Sequence, residues 1–239
     1  VWAATALRAD KHVLMEKPAG RHPADLMQII AAEKESKAIA RVGFNHRFHP
    51  ALLKAKCFIE EGRIGELMYF RARYGHGGRI GYDQEWRANP EISGGGELLD
   101  QGVHLIDLCR WLGGAFELEM GRVDTFFWDM PVEDNGFLLL KSPTGKCRAL
   151  LHASCTEWKN LFDFEIFGTT GKLQVWGLGR SYGVEEFRHF KMRPEMGPPE
   201  LTVDTFPGED CSWQIEWNAF ISEIEGKQTH IGRVCDALR

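Results

Sequence analysis

The hydrophobic pattern along the 239 residues changes character after about residue 45. Residues 1–9 (VWAATALRA) read as the apolar half of a helix, and His12 to Met15 as a short buried-type strand. Pro23 suits the first turn of a second helix running to about Lys37, where Leu26, Ile29 and Ile30 form an apolar stripe. Ile39 to Phe44 is a second strand. Strand, helix and strand within about 30 residues predict a parallel βαβ unit with a right-handed crossover.

Beyond Asn45 the spacing predicts a helix from about Pro50 to Glu61, a long strand over 66–74 and a glycine-rich loop at Gly75, Gly77, Gly78 and Gly81. A helix follows from about Glu97 to Leu112, closed by Gly113-Gly114. Strands are expected at about 117–128, 135–142, 147–156, 162–168, 172–177 and 182–192, with turns at Thr144-Gly145 and Thr170-Gly171, then a helix at about 212–225. Strands joined by short turns imply an antiparallel sheet. The fold class is therefore α/β followed by α+β: residues 1–45 in a parallel unit, and 46–239 around a large, mostly antiparallel open sheet covered by helices.

Composition excludes several functions. The net charge of −5 and the lack of a basic block argue against nucleic acid as a partner. No apolar run approaches the roughly 20 residues of a membrane helix. Six cysteines without C-x-x-C spacing favour thiols in a reducing, cytoplasmic compartment over a disulfide framework or structural zinc. The first helix has no cap before it and the last residues stop as another helix begins, so the chain reads as a piece of a longer protein, with an upstream targeting peptide left open. Continuous apolar runs at 137–140 and 149–151 suggest a sheet covered on both faces, by helices on one and a sister subunit on the other, or by a third layer of the same chain.

Candidate chemistry lies in two places. Asp100 and His104 stand four apart in one predicted helix and share a face. With Lys17 they would supply a carboxylate, an imidazole and an ammonium, the parts for moving a proton during redox chemistry at a carbinol. Each has a plainer reading: Lys17 a solvated charge, His104 a satisfied core histidine, and Asp100, His104 and Asp107 a metal set at helical spacing.

Four motifs in order carry a resemblance. They are strand-Glu16-Lys17-Pro18; Val42 to Pro50 (V-G-F-N-x-R-F-x-P); Trp86-Arg87; and Gly94 to Asp107 (G-G-G-x-x-x-D-x-G-x-H-x-x-D). Together they resemble the glucose–fructose oxidoreductase/inositol dehydrogenase (GFO/IDH/MocA) family, with echoes at Asp134-Asn135, Gly168 to Gly171 and Trp213 to Phe220. The resemblance implies a Rossmann domain for NAD or NADP, of which residues 1–45 are the C-terminal part, a substrate and oligomerisation domain, and a substrate site in the cleft between them. The strand–G-x-G-x-x-G–helix fingerprint is not among these residues.

Carried over by motif, Lys17 would steady a developing alkoxide, His104 would take the hydroxyl proton, and Asp100 would hold His104 or a substrate hydroxyl. Glu16, Lys17, Pro18, Asn45, Trp86 and Arg87 would contact cofactor or substrate, with a cis peptide bond before Pro18. The triple glycine would let backbone approach a ligand. Thr156 to Asn160 (TEWKN) could line a sugar site or form a surface turn. Asp10 stands where the family usually has glycine, a substitution that left-handed backbone tolerates. The implied activity is hydride transfer between nicotinamide and a secondary alcohol of a sugar, sugar-nucleotide or cyclitol. Alternatives are an NAD-dependent glycosidase of the same fold and a non-catalytic sugar sensor.

Overall fold

A computed structural model describes residues 2–195 and 197–238. In chain order its helices are α1 (Trp2–Arg8), α2 (Pro23–Glu35), α3 (Pro50–Glu60), α4 (Pro90–Ser93), α5 (Val103–Gly113), α6 (Ser212–Ile224) and α7 (Val234–Leu238). Its strands are β1 (Val13–Glu16), β2 (Ala40–Gly43), β3 (Leu67–Gly75), β4 (Glu117–Asp124), β5 (Asn135–Lys141), β6 (Arg148–Ser154), β7 (Leu161–Gly168), β8 (Gly171–Trp176), β9 (Glu185–Lys191), β10 (Glu200–Phe206) and β11 (Gly232–Arg233). Among the described residues no helix is long and apolar enough to cross a membrane.

Two compact units form, 1–48 with 211–239, and 49–210. In the first, β1 and β2 pair in parallel from Val13↔Ala40 to Glu16↔Gly43, joined by α2. Pro23 opens α2, Asp25 accepts from the His22 N–H at 3.1 Å, and Leu26, Ile29 and Ala32 turn inward. Asp10 adopts φ 53°, and its carboxylate accepts from the Lys37 N–H and the Ser36 hydroxyl. Those bonds hold its carboxyl below the ordinary range, so the residue standing in place of a glycine also ties the first turn to the end of α2.

The expected division at 45/46 differs from the observed one. Residues 211–239 belong with the first unit, where β11 adds to β2 antiparallel and Phe220 and Ile231 pack with Phe48. Buried Arg41 draws this return in, pairing with Glu33 on α2 and Glu223 on α6.

The second unit is an eight-stranded sheet ordered β10-β9-β8-β7-β3-β6-β5-β4, antiparallel throughout except for the parallel pair β3/β6. Alternate residues turn to one face: Phe70, Ala72 and Tyr74; Phe162, Phe164 and Ile166; Leu173 and Val175; Leu138 and Leu140. Leu52 and Ala55 of α3 and Leu105, Leu108 and Leu112 of α5 close that core. The opposite face carries charge pairs such as Glu165 between Arg71 and Lys172, beside outward Tyr69, Phe137 and Leu150.

The strand expected over 117–128 stops at Asp124. The fully buried Asp134 carboxylate accepts from the N–H groups of Phe126, Phe127 and Trp128 at 2.8–3.1 Å and from Asn135 Nδ2 at 3.0 Å. Three amides aimed at one carboxylate cannot also serve a ladder, so the chain leaves the sheet. The strand β10 is an addition to the predicted set.

Burial alone would push the Asp134 carboxyl up, but the bonds it accepts outweigh that and hold it below the usual carboxylate range. A lowered folded pKa stabilises above the unfolded value and is lost as pH falls through the folded one. Asp134→Asn should therefore cost about 1–3 kcal/mol in urea unfolding at pH 7. The deficit should shrink as pH falls below about 4, where the unfolded chain takes up a proton that the folded carboxylate still resists. A deficit independent of pH would contradict this account.

Candidate active site

The motif region is built from a close backbone crossing. Gly94 ends α4 at φ 82°, and a Cβ on Gly96 would lie 2.0 Å from the Glu133 carbonyl oxygen. The Glu97 N–H donates to that carbonyl at 3.0 Å, and Glu133 Oε1 accepts from the Leu98 N–H at 3.2 Å. The glycines were expected to admit a ligand; the partner that Gly96 admits is the chain's own turn before β5. The predicted helix then begins as a π-helical turn, Leu98–Gly102, before α5. Gly102 lets this wide turn seat against Leu98 and Ala153. Such turns recur at functional sites, and here Asp100 sits on the π turn and His104 in the first turn of α5.

Asp100 faces a polar cavity of about 250 Å³ within the second unit. His76, Gly78, Arg79 and Tyr82 line it from the segment after β3, with Arg87, Gln101, Asn160 and Tyr182 completing the wall. Arg87 Nε donates to Asp100 Oδ2 at 3.1 Å while its guanidinium lies 4.5 Å over the half-exposed Trp86 ring. Arg79 meets Glu85 at 2.8 Å. Each cationic side chain of the wall thus already faces a carboxylate.

His104 is buried, 2% exposed, with Tyr74 edge-on at 6.1 Å between ring centroids. Tyr74 and Tyr182 share a hydroxyl–hydroxyl hydrogen bond, and burial pushes both phenols above their usual range. His76 Nδ1 accepts from the Gly78 N–H at 2.9 Å, which puts the neutral ring's proton on Nε2, 3.6 Å from the buried Glu97 carboxylate. Burial likewise drives Tyr82 and Cys155 strongly upward. Sequence reasoning missed Tyr74, Tyr82, Tyr182, His76 and Glu97. A polar tyrosine ending the inward row of β3 was the available signal for the first.

The structure thus brings Trp86, Arg87, Asp100 and His104 into one unit. Glu16, Lys17, Pro18 and Asn45 belong to the other. Lys17 follows the carboxyl end of β1, and its bond to Pro18 is cis, as expected. Asn45 is buried: its Nδ2 donates to Ser212 Oγ at 2.9 Å and its Oδ1 meets His46 Nδ1 at 3.1 Å. That amide ties the end of β2 to the start of α6, a structural role beside the one expected of it.

Residues 52–174 match the family described as the GFO/IDH/MocA C-terminal domain. The chain belongs to the GFO/IDH/MocA family. Among family relatives, it is 33% identical over 144 residues to a levoglucosan dehydrogenase of Pseudarthrobacter phenanthrenivorans, covering 56% of this chain and 35% of that protein. It is 30% identical over 172 residues to dTDP-3,4-didehydro-2,6-dideoxy-alpha-D-glucose 3-reductase of Actinomadura kijaniata, covering 72% of this chain and 50% of that one. The chain thus spans between a third and a half of these curated relatives. The fold matches a solved levoglucosan dehydrogenase in complex with NADH at a TM-score of 0.86 and 24% identity, over 99% of this chain and 70% of that one.

The Gly96 contact generates a direct expectation. Gly96→Ala should destabilise by about 1–3 kcal/mol, since backbone must move to admit the methyl. Gly208→Ala, whose methyl meets nothing within 4 Å, should stay within about 0.5 kcal/mol. Equal denaturation midpoints for the two would refute the tight crossing.

Proposed function

We propose that this chain is part of an NAD(P)-dependent oxidoreductase that moves hydride between nicotinamide and a secondary alcohol of a sugar, sugar-nucleotide or cyclitol. The observation that carries the reading is the polar cavity with Asp100 on its wall, on the turn that leads directly into the helix of His104. The relatives' names, sugar dehydrogenase and sugar-nucleotide reductase, support the same class. Glu16 and Lys17 stand at the carboxyl end of a parallel strand, the edge at which open α/β sheets take nucleotides. Those residues fit the nicotinamide end of the cofactor.

When bound, the nicotinamide supplies the hydride acceptor. Lys17 holds the hydroxyl oxygen and stabilises negative charge developing on it. His104 takes the hydroxyl proton, a task that suits an imidazole working near neutrality. Tyr74 packs on the His104 ring and limits its rotation. Asp100, fixed by Arg87, orients either the imidazole or a neighbouring sugar hydroxyl.

The outward sheet face supports a second proposal, that another copy of the chain covers it. Leu150 is 54% exposed there, in the middle of the sheet, with Phe137 and Tyr69 on the same face.

In the full-length protein, Lys17→Met and His104→Gln should each lower turnover on an accepted sugar by about 10²-fold or more, with circular dichroism unchanged. Near-normal rates in both variants would end the assignment. Leu150→Arg should lower the mass measured by light scattering; an unchanged mass would place the subunit contact elsewhere.

A further inference from the structure

The cavity wall continues into a row of aromatic side chains that the reaction does not use. Tyr82 lines the cavity and lies 5.4 Å from Trp128; Trp128 lies 5.1 Å from Phe127, and Phe127 4.6 Å from Trp158, all between ring centroids. The inner members are fixed. Trp128 Nε1 donates to the Cys155 carbonyl at 3.0 Å, and its ring lies so near Gly78 that a Cβ there would come within 2.3 Å.

The outer members are open, Phe127 at 57% and Trp158 at 65% exposure. Trp158 also holds φ 56°, a conformation that bulky side chains rarely adopt. Gly77 makes room for its backbone: a Cβ there would sit 2.9 Å from the Trp158 Cα. Since Gly77 adjoins Gly78 of the cavity wall, Trp158 stands at the cavity's edge.

We propose that this Phe127–Trp158 platform binds a second sugar ring, so that the substrate is a neutral disaccharide or longer glycoside. The proposal rests on the oxidoreductase reading and names its substrate more closely. Three features select the occupant. Aromatic faces take the C–H face of a pyranose, which meets their negative quadrupole with its hydrogens. Asn160, two residues on, lines the cavity; its Nδ2 donates to Ser181 Oγ at 2.7 Å, which fixes the amide beside the platform with its carbonyl oxygen to accept from a sugar hydroxyl. The guanidinium groups of the wall are paired with Glu85 and Asp100, which favours an uncharged ligand over a diphosphate.

The test compares kcat/KM for glucose with that for cellobiose and maltose in the full-length enzyme. In Trp158→Gly, the disaccharide-to-glucose ratio should fall about tenfold, and Trp158→Tyr should restore most of it. Glycine suits φ 56°, so this variant should fold. An unchanged ratio overturns the proposal, as does dissociation of an oligomer by Trp158→Gly in light scattering, which would make the patch a subunit contact. If no sugar is turned over, saturation-transfer NMR with the same disaccharides separates the two readings. Binding lost in Trp158→Gly keeps the platform while the oxidoreductase reading fails, and no binding to the wild type removes both.

Discussion

Two adjacent acidic residues, Glu133 and Asp134, hold together the parts of the second unit that surround the cavity. The Glu133 backbone and side chain take the first amides of the motif helix, and Gly96 is the residue type that lets them come so near. The Asp134 carboxylate gathers the amides of 126–128, and its carbonyl accepts from the Cys155 N–H at 3.0 Å. One short turn before β5 therefore positions the wall that carries Asp100, the loop that carries Phe127 and Trp128, and the strand end leading to Trp158. A carboxylate satisfied by several amides is stronger and more directional than apolar contact. That is how a polar cavity can be built with fixed walls at the margin of the hydrophobic core, which meets it at Tyr182.

The elements with one apolar face were legible in the sequence. The rows Phe70-Ala72-Tyr74 and Phe162-Phe164-Ile166 alternate at the strand period, and α3 and α5 place their leucines on one side. Strand β10 was not legible, because it has no such face: Leu201 and Val203 stay exposed, while Asp204 turns to Lys54 at 2.8 Å. It exists by backbone pairing with β9, from Glu200↔Lys191 to Phe206↔Glu185, and an edge strand held by its ladder leaves little trace in hydropathy. The π turn was hidden for another reason. A glycine at position 102 marks an irregularity within a helix, but the kind depends on how closely Leu98 and Ala153 pack around it.

The candidate site was legible where residue type and chemistry coincide. Lysine after a strand, aspartate and histidine one turn apart, and Trp86-Arg87 are unusual enough in order to be noticed together. The buried tyrosines and Glu97 were not, since nothing in the chain announces which polar residues the folded sheet will enclose. The first unit makes the same point at its boundary: Arg41 is one cation in a strand until α6 returns with Glu223. A long-range ion pair, the β11–β2 ladder and the packing of Phe220 and Ile231 on Phe48 together join that returning segment to the first unit, and no local pattern contains them.

Trp158 shows why an exposed aromatic patch here differs from incidental surface. A left-handed backbone costs an L residue roughly 1–2 kcal/mol, and here the residue that bears it is a large indole left mostly in solvent. The residue is 65% exposed, so burial does not compensate for that conformation, whereas glycine or asparagine in its place would relieve it. Its neighbours are arranged to permit it: Gly77 clears the backbone, and Phe127 meets the indole edge-on at 4.6 Å. Strain retained beside a polar cavity, on a scaffold that fixes both, is the arrangement expected when the ring's value lies in what it binds. The paired charges of the wall carry the argument one step further. A site whose cations are already neutralised gains little from an anionic ligand, and its selectivity must then come from hydroxyl geometry and from flat apolar faces.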